Sequence, residues 1–244
     1  WLFLIWYLKS IVVHISVFYP YLYHINVVNK SLHNDLNALK ISRSQYMKTE
    51  LEKCLAGEPF NGGDKVLADM TLNAKRLLKQ LNETDYADTE QRKRIFHDLF
   101  GKMGEHVHID IDFHCEYGKH IFIGDQVIIN MNCTFVDNNI IEIGDNVLIA
   151  SNVQIYTATH STKLQERVVA DWEAGEGICK TYALPVRIND GAWIGGGAII
   201  LPGVTIGKNS VIGAGSIVTH SIPDNCVAVG NPCRVIKQID NEVV

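Results

Sequence analysis

The chain has 244 residues, of which 47% are hydrophobic and 20% charged, values usual for a compact fold of one or two domains. A net charge of -5 argues against a nucleic-acid partner, which would ask for a clustered basic face. Six cysteines (Cys54, Cys115, Cys133, Cys179, Cys226 and Cys233) form no CxxC pair and no Cys/His zinc spacing. No metal site is therefore expected, and a reducing, cytoplasmic setting is the simplest reading.

Residues 1–46 differ in kind from the rest. Up to Val28 they are mostly large and apolar, with Lys9 the one acidic or basic side chain, yet His14, Pro20, His24 and Asn26 interrupt the run. Ile11 to Val28 is near the length needed to cross hydrocarbon, but the segment lacks the basic flank and small-residue cleavage site of a signal peptide. The chain starts at Trp1, whereas Met47 opens a stretch that reads at once like a folded protein. Our expectation is a natural start at Met47, an apolar extension over 1–46 outside the fold, and no membrane partner.

Residues 47–105 are expected to form a helical cap. Leu67, Met70, Leu77, Leu78 and Leu81 recur at helical spacing. Asp88 or Thr89 can cap a second helix running to Gly101, with Ile95, Leu99 and Met103 on one face. Such a cap would cover the open end of whatever follows.

From Ile123 to Val218 an aliphatic or aromatic residue returns every six positions: Ile123, Ile129, Phe135; Ile143, Ile149, Ile155; Ile188, Ile194, Ile200, Ile206, Ile212, Val218. That period is neither helical nor that of an ordinary strand, and it matches hexapeptide β-helix repeats, in which three units close one coil. Each beat should point inward and stack on the beat eighteen residues away, so that Ile194 lies over Ile212. Very small residues follow many beats, among them Gly124, Gly144 and Gly195, as a close backbone approach would require. The beat slips by two between Phe135 and Ile143, and it breaks for thirty-three residues between Ile155 and Ile188. The break predicts a loop over 160–184 leaving a solenoid that spans 106–244.

His160 closes the segment YTATH where the regular coil gives way to that loop. A neutral imidazole can take a proton near physiological pH, which a hydroxyl nucleophile needs. Taken alone, His160 reads more readily as a solvated loop histidine.

Several segments in fixed order resemble the maltose/galactoside O-acetyltransferase family of hexapeptide-repeat acyltransferases. They are CLAGEPF, FHCEYGKHIFIGD, YTATH, AWIGGGAIILPGVTIGKNSVIGAGSIVT and VAVGNPCRVI. The resemblance covers the chain from Met47 to its end. It implies a mainly β fold, a left-handed parallel β-helix that departs from the usual right-handed crossover. It further implies a homotrimer with each active site between neighbouring subunits, and acetyl-CoA as the donor. His160 then corresponds to the catalytic base. Asn130, Trp193, Gly196, Ala214, Thr219, His220, Arg234 and Lys237 correspond to donor-binding positions, with Arg234 and Lys237 facing phosphate oxygens.

On the acceptor side, Glu116 stands where family members carry Ser or Asp, and Asn138 where the galactoside enzymes have an acidic residue. Gly62 also occupies a position that is acidic in those enzymes, with Asp64 nearby. The acceptor is accordingly read as a sugar or another small hydroxylated molecule. Antibiotic O-acetylation is the alternative, because the antibiotic enzymes share the coils and the base. A γ-class carbonic anhydrase would need three converging histidines, and His160 has no HxxxxH partner. A non-catalytic scaffold is the remaining reading.

Overall fold

The computed structural model describes residues 48–173 and 176–239. The apolar extension expected over 1–46, and the start expected at Met47, lie outside the described residues. Among the described residues no helix is long and apolar enough to cross a membrane.

Three helices come first. Helix α1 (Glu50–Leu55) opens on a capping box in which Thr49 and Glu52 satisfy each other's backbone N–H. A two-residue strand, β1 (Phe60–Asn61), precedes α2 (Lys65–Glu83), whose N-cap Asp64 accepts from Val66 N; the carboxylate next to Gly62 is thus engaged in capping. Helix α3 (Thr89–Leu99) is capped by Asp88, which accepts from Gln91 N. Leu77, Leu78, Leu81, Ile95, Phe96 and Leu99 bury one face of this pair against the start of the solenoid.

A column of rings continues the contact inward: Phe96 on Phe100 at 5.6 Å, Phe100 on Phe113 at 5.6 Å and Phe113 on Phe135 at 5.1 Å between centroids. Burying such rings contributes about 1.5–3 kcal/mol each. The helices therefore plug the end where unpaired strands would otherwise meet solvent.

One expectation is corrected at this junction. The four-residue spacing of Ile95, Leu99 and Met103 suggested a single helical face, but α3 ends at Leu99, and Met103 lies in strand β2 (Lys102–Met103) paired with Phe122 and Ile123. Gly101 marks the change. A Cβ there would come within 2.4 Å of the Lys119 carbonyl oxygen, and the Gly101 N–H already donates to Ile121 O.

The rest is a parallel β-solenoid with three walls. One wall stacks β2, β5 (Ile121–Ile123), β8 (Ile141–Ile143), β13 (Val186–Ile188) and β16 (Thr205–Ile206). The second stacks β3 (His108–Ile109), β6 (Ile128–Ile129), β9 (Leu148–Ile149), β14 (Trp193–Ile194), β17 (Val211–Ile212) and β19 (Cys226–Val229), with β20 (Arg234–Gln238) folding back antiparallel on β19. The third stacks β4 (His114–Cys115), β7 (Thr134–Val136), β10 (Gln154–Tyr156), β15 (Ile199–Ile200) and β18 (Ile217–Val218).

All twelve beat residues are at most 2% exposed, and Ile194 pairs with Ile212 as expected. The eighteen-residue step holds only in the later coils. Ile109 pairs with Ile129, and Ile129 with Ile149, twenty residues apart. The surplus sits at one corner, where eight residues rather than six separate Cys115 from Ile123 and Phe135 from Ile143. The long loop leaves from this same corner one coil later. It opens with β11 (Ala158–Thr159), carries the short helix α4 (Leu164–Arg167), and returns through β12 (Lys180–Ala183), which pairs with both β11 and β1.

The tight turns have a common device. Three residues before an inward-facing position the backbone takes positive φ, at Gln126, Asn132, Asn146, Asn152, Gly191, Gly197, Asn209 and Gly215 among others. Asn and Gly bear this left-handed conformation at least cost. The glycines after the beats meet a different constraint, because φ is not positive there and a Cβ on Gly144 or Gly195 would approach the next coil's backbone to 2.8 or 2.5 Å.

Candidate functional site

His160 follows β11 at the outer end of the β11–β12 hairpin and is exposed. Its Nδ1 lies 2.9 Å from the Lys180 carbonyl oxygen. A carbonyl can only accept, so Nδ1 carries the proton and Nε2 presents a lone pair in the neutral ring. The chain beyond is fastened by Ser161, which donates to Glu166 at 2.7 Å, and by Arg167, which donates to the Ser161 carbonyl at 3.0 Å.

The corner at which this hairpin is rooted is a dense polar network, although it belongs to the buried repeat. Asn139, 2% exposed, donates through Nδ2 to the carbonyls of Cys54 and Ala183, both at 2.9 Å, and accepts from Ile140 N through Oδ1. Thr157 Oγ1 donates to Val136 O and accepts from Asn139 N. His120 Nδ1 donates to the carbonyls of Asp137 and Asn138 at 3.0 and 2.9 Å, and burial lowers its affinity for a second proton. Asn138 Nδ2 donates to the Tyr117 hydroxyl at 2.9 Å. Asp137 is fully buried, and its Oδ1 accepts from the Glu116 and Tyr117 amides. Helix α1, two successive coils and β12 thus converge on one corner.

The residues singled out from sequence divide between two edges of the prism. Glu116, Asn138 and the root of the loop bearing His160 share the eight-residue corner, and Thr219 and His220 leave β18 at the same corner further along the stack. Glu116 is half-buried, accepts from Thr71 Oγ1 at 3.2 Å and lies 3.5 Å from Lys75 Nζ. Thr219 Oγ1 and His220 Nδ1 are 2.8 Å apart.

Asn130, Gly196 and Ala214 lie instead at the next edge, between the second and third walls, where Gly215 N donates to Gly196 O. Trp193 stands beside them on β14, 49% exposed, in an outward row with Ile128, Leu148 and Val211. Arg234 and Lys237 project from β20 on the same wall. Both are exposed, and neither makes an ion pair among the described residues. Small side chains at Gly196 and Ala214 leave the edge backbone open. Slender backbone groups, an indole and two free cations suit a long thioester donor bearing phosphates.

The fold therefore does not bring the two groups of residues together within one chain. Of three cavities of about 440, 460 and 470 Å³ among the described residues, none is lined by His160, Glu116 or Asn138, and the second is lined by Lys180 and Glu166 of the His160 loop. Among the described residues no cluster of three His, Cys, Asp or Glu side chains could hold a metal ion.

Sequence reasoning missed Tyr117, His120, Asp137, Asn139 and the carbonyl of Lys180. A signal was present: the two-residue slip after Phe135 falls on the polar run Asp137, Asn138, Asn139.

Similarity to known proteins narrows the class. The family model described as the maltose acetyltransferase hexapeptide capping motif matches residues 53–104, and the model of six bacterial transferase hexapeptide repeats matches residues 185–220. The chain is 39% identical over 190 residues to the galactoside O-acetyltransferase of Escherichia coli, spanning 78% of this chain and 89% of that one. The crystal structure of a maltose O-acetyltransferase from Clostridium difficile superposes with a TM-score of 0.74 at 45% identity, over 80% of this chain and 99% of that chain. A hexapeptide-repeat acetyltransferase from Vibrio cholerae complexed with acetyl-coenzyme A gives 0.71 at 38% identity, over 80% of this chain and 100% of that chain. Fold, cap and repeats define a hexapeptide-repeat acetyltransferase. The chain belongs to the maltose/galactoside O-acetyltransferase family.

Proposed function

We propose that the protein transfers an acetyl group from acetyl-CoA to a hydroxyl of a sugar, directly, with His160 as general base. The observation that carries this reading is the Nδ1 contact with Lys180 O, which leaves Nε2 free to accept. As the acceptor oxygen attacks the thioester carbon, Nε2 takes its proton. The new C–O bond forms, the C–S bond breaks, and the proton passes to the departing thiolate. No enzyme nucleophile is needed. Cys133 and Cys115 are buried, and burial pushes both thiols well above the usual range, the former to about 11, which disfavours a covalent relay.

Homotrimeric assembly is part of this reading, and the division of the site supports it. Asn130, Trp193, Gly196, Ala214, Arg234 and Lys237 lie along one wall and edge and His160 on another, although Thr219 and His220 share the corner of the His160 loop; copies of the chain would bring the first set to His160, and the outward row containing Ile128 and Trp193 is an apolar strip suited to a neighbour or a ligand. The six free cysteines agree with a reducing, cytoplasmic setting.

The test is acetyl-CoA consumption across a panel of sugars and hydroxylated antibiotics. Turnover is expected with sugars. Turnover confined to antibiotics, or hydrolysis without any acceptor dependence, would overturn the reading.

A further inference from the structure

Asp137 is the one carboxyl enclosed by the acceptor corner. Oδ1 accepts two backbone N–H bonds, from Glu116 and Tyr117, both at 2.9 Å, while the buried Oδ2 has no hydrogen-bond partner among the described residues. Those two amides belong to the preceding coil, at the corner where that coil carries its two extra residues. Nothing in the parallel ladder fixes the chain at this point, since the pairing of β4 with β7 ends at Cys115 and Phe135. The side chains hung from the clamped segment are those of Glu116, half-buried at the corner, and Tyr117, buried with Cys54, Phe60 and Ala183. Glu116 presents its carboxylate toward Thr71 and Lys75, and the Tyr117 hydroxyl receives Asn138 Nδ2.

We propose that Asp137 is a positioning residue of the acceptor side, its carboxyl clamping the Glu116 and Tyr117 amides so that Glu116 and Asn138 are held where an acceptor hydroxyl would meet them. This rests on the acetyl-transfer reading above and adds to it a residue that touches no substrate.

The clamp has a chemical consequence. An ionised carboxylate holds two N–H donors more strongly than a neutral acid or an amide, charge-assisted bonds being roughly twice as strong. Burial raises the Asp137 carboxyl to about 7, partly offset by the amide bonds. The titratable and charged groups around it are Cys115, Glu116 and Tyr117 from the preceding coil and His120 from its corner, together with Lys75 of α2 acting through Glu116 and Cys54 of α1 on the Asn138 carbonyl. Burial raises the Cys115, Tyr117 and Cys54 groups and lowers His120, so their charge changes fall away from neutrality. Asp137 is then the group at this corner whose ionisation changes near pH 7.

The test compares wild type with Asp137→Asn between pH 5.5 and 8.5. In the wild type the acceptor KM should rise as pH falls through about 7. In Asp137→Asn it should be raised about tenfold at the alkaline end and flat with pH, the acetyl-CoA KM staying put. Equal rises in both KM values, or a variant whose acceptor KM follows the wild-type pH profile, would overturn the clamp.

A second measurement needs neither turnover nor the variant. In 15N-labelled wild type the Glu116 and Tyr117 amide resonances should shift with one shared midpoint near neutrality, and two amides that hold still over that range would overturn the proposal. A wild-type protein that acetylates no acceptor would count against the reaction, and the amide titration would still decide the clamp.

Discussion

Asn139 and Ala183 are joined across the root of the long loop: the Asn139 side-chain amide donates to the Ala183 carbonyl at 2.9 Å. Ala183 is the residue of β12 that pairs with Ala158 of β11, and the Lys180 carbonyl at the other end of β12 orients His160. The same amide holds Cys54 O at the end of α1. One buried side chain thus ties the solenoid, the cap and the loop that bears the proposed base.

Asn139→Ala should accordingly destabilise the protein by about 3 kcal/mol, because it strands two buried carbonyls and one half-buried amide. Chemical denaturation measures this. The variant should also lose kcat more than acetyl-CoA affinity, since His160 is positioned through β12 while the donor edge is untouched.

How far these features could be read from sequence depends on whether they are periodic. The stacking of Ile194 on Ile212 was legible because a six-residue beat with one inward side chain leaves no other regular solution. The left-handed turn position three residues before the beat was missed although it is mostly Asn or Gly, as at Asn132, Gly191 and Asn209, because both residue types also occur at many other places in the chain. Met103 was assigned to a helix because its spacing from Leu99 happens to continue the helical period into β2. Of the candidate site, His160, Glu116 and Asn138 were singled out by their motifs. Asn139 and Asp137 were not, because their roles depend on Cys54, Tyr117 and Ala183, brought to them only by the fold.

Stability should vary with pH in a direction set by Asp137. Its carboxyl is raised from an ordinary 3.8 to about 7, so the folded protein binds this proton more tightly than the unfolded chain. The stabilising contribution is full below about 4 and is lost as pH rises to about 7. Thermal melts should show Asp137→Asn gaining on wild type as pH rises across that window. A constant difference between the two would contradict the assigned ionisation.

Arg234→Ala should raise the acetyl-CoA KM and spare kcat. A phosphate contact remote from the thioester is made alike in ground and transition states, so its loss weakens binding without slowing chemistry. Steady-state kinetics with varied acetyl-CoA checks this, and a fall in kcat at unchanged KM would remove Arg234 from the donor site.

Assembly can be tested through the outward row on the second wall. Sedimentation should give three copies of the chain, and mixing an inactive His160→Ala chain with an inactive donor-edge variant such as Trp193→Asp should restore partial activity after subunit exchange. A fully active monomer would contradict a site shared between subunits.

The proposed chemistry rests on a single lone pair, that of His160 Nε2. His160→Ala should lower kcat by roughly 10²- to 10⁴-fold while acetyl-CoA still binds, and His160→Asn should do no better, because an amide cannot take the proton. Single-turnover kinetics of these variants, with mass spectrometry of wild type quenched after exposure to acetyl-CoA alone, measures both halves of the mechanism. Direct transfer predicts the collapse in rate and no acetylated protein. Near-normal turnover in His160→Ala, or an acetyl group carried on a cysteine, would contradict it.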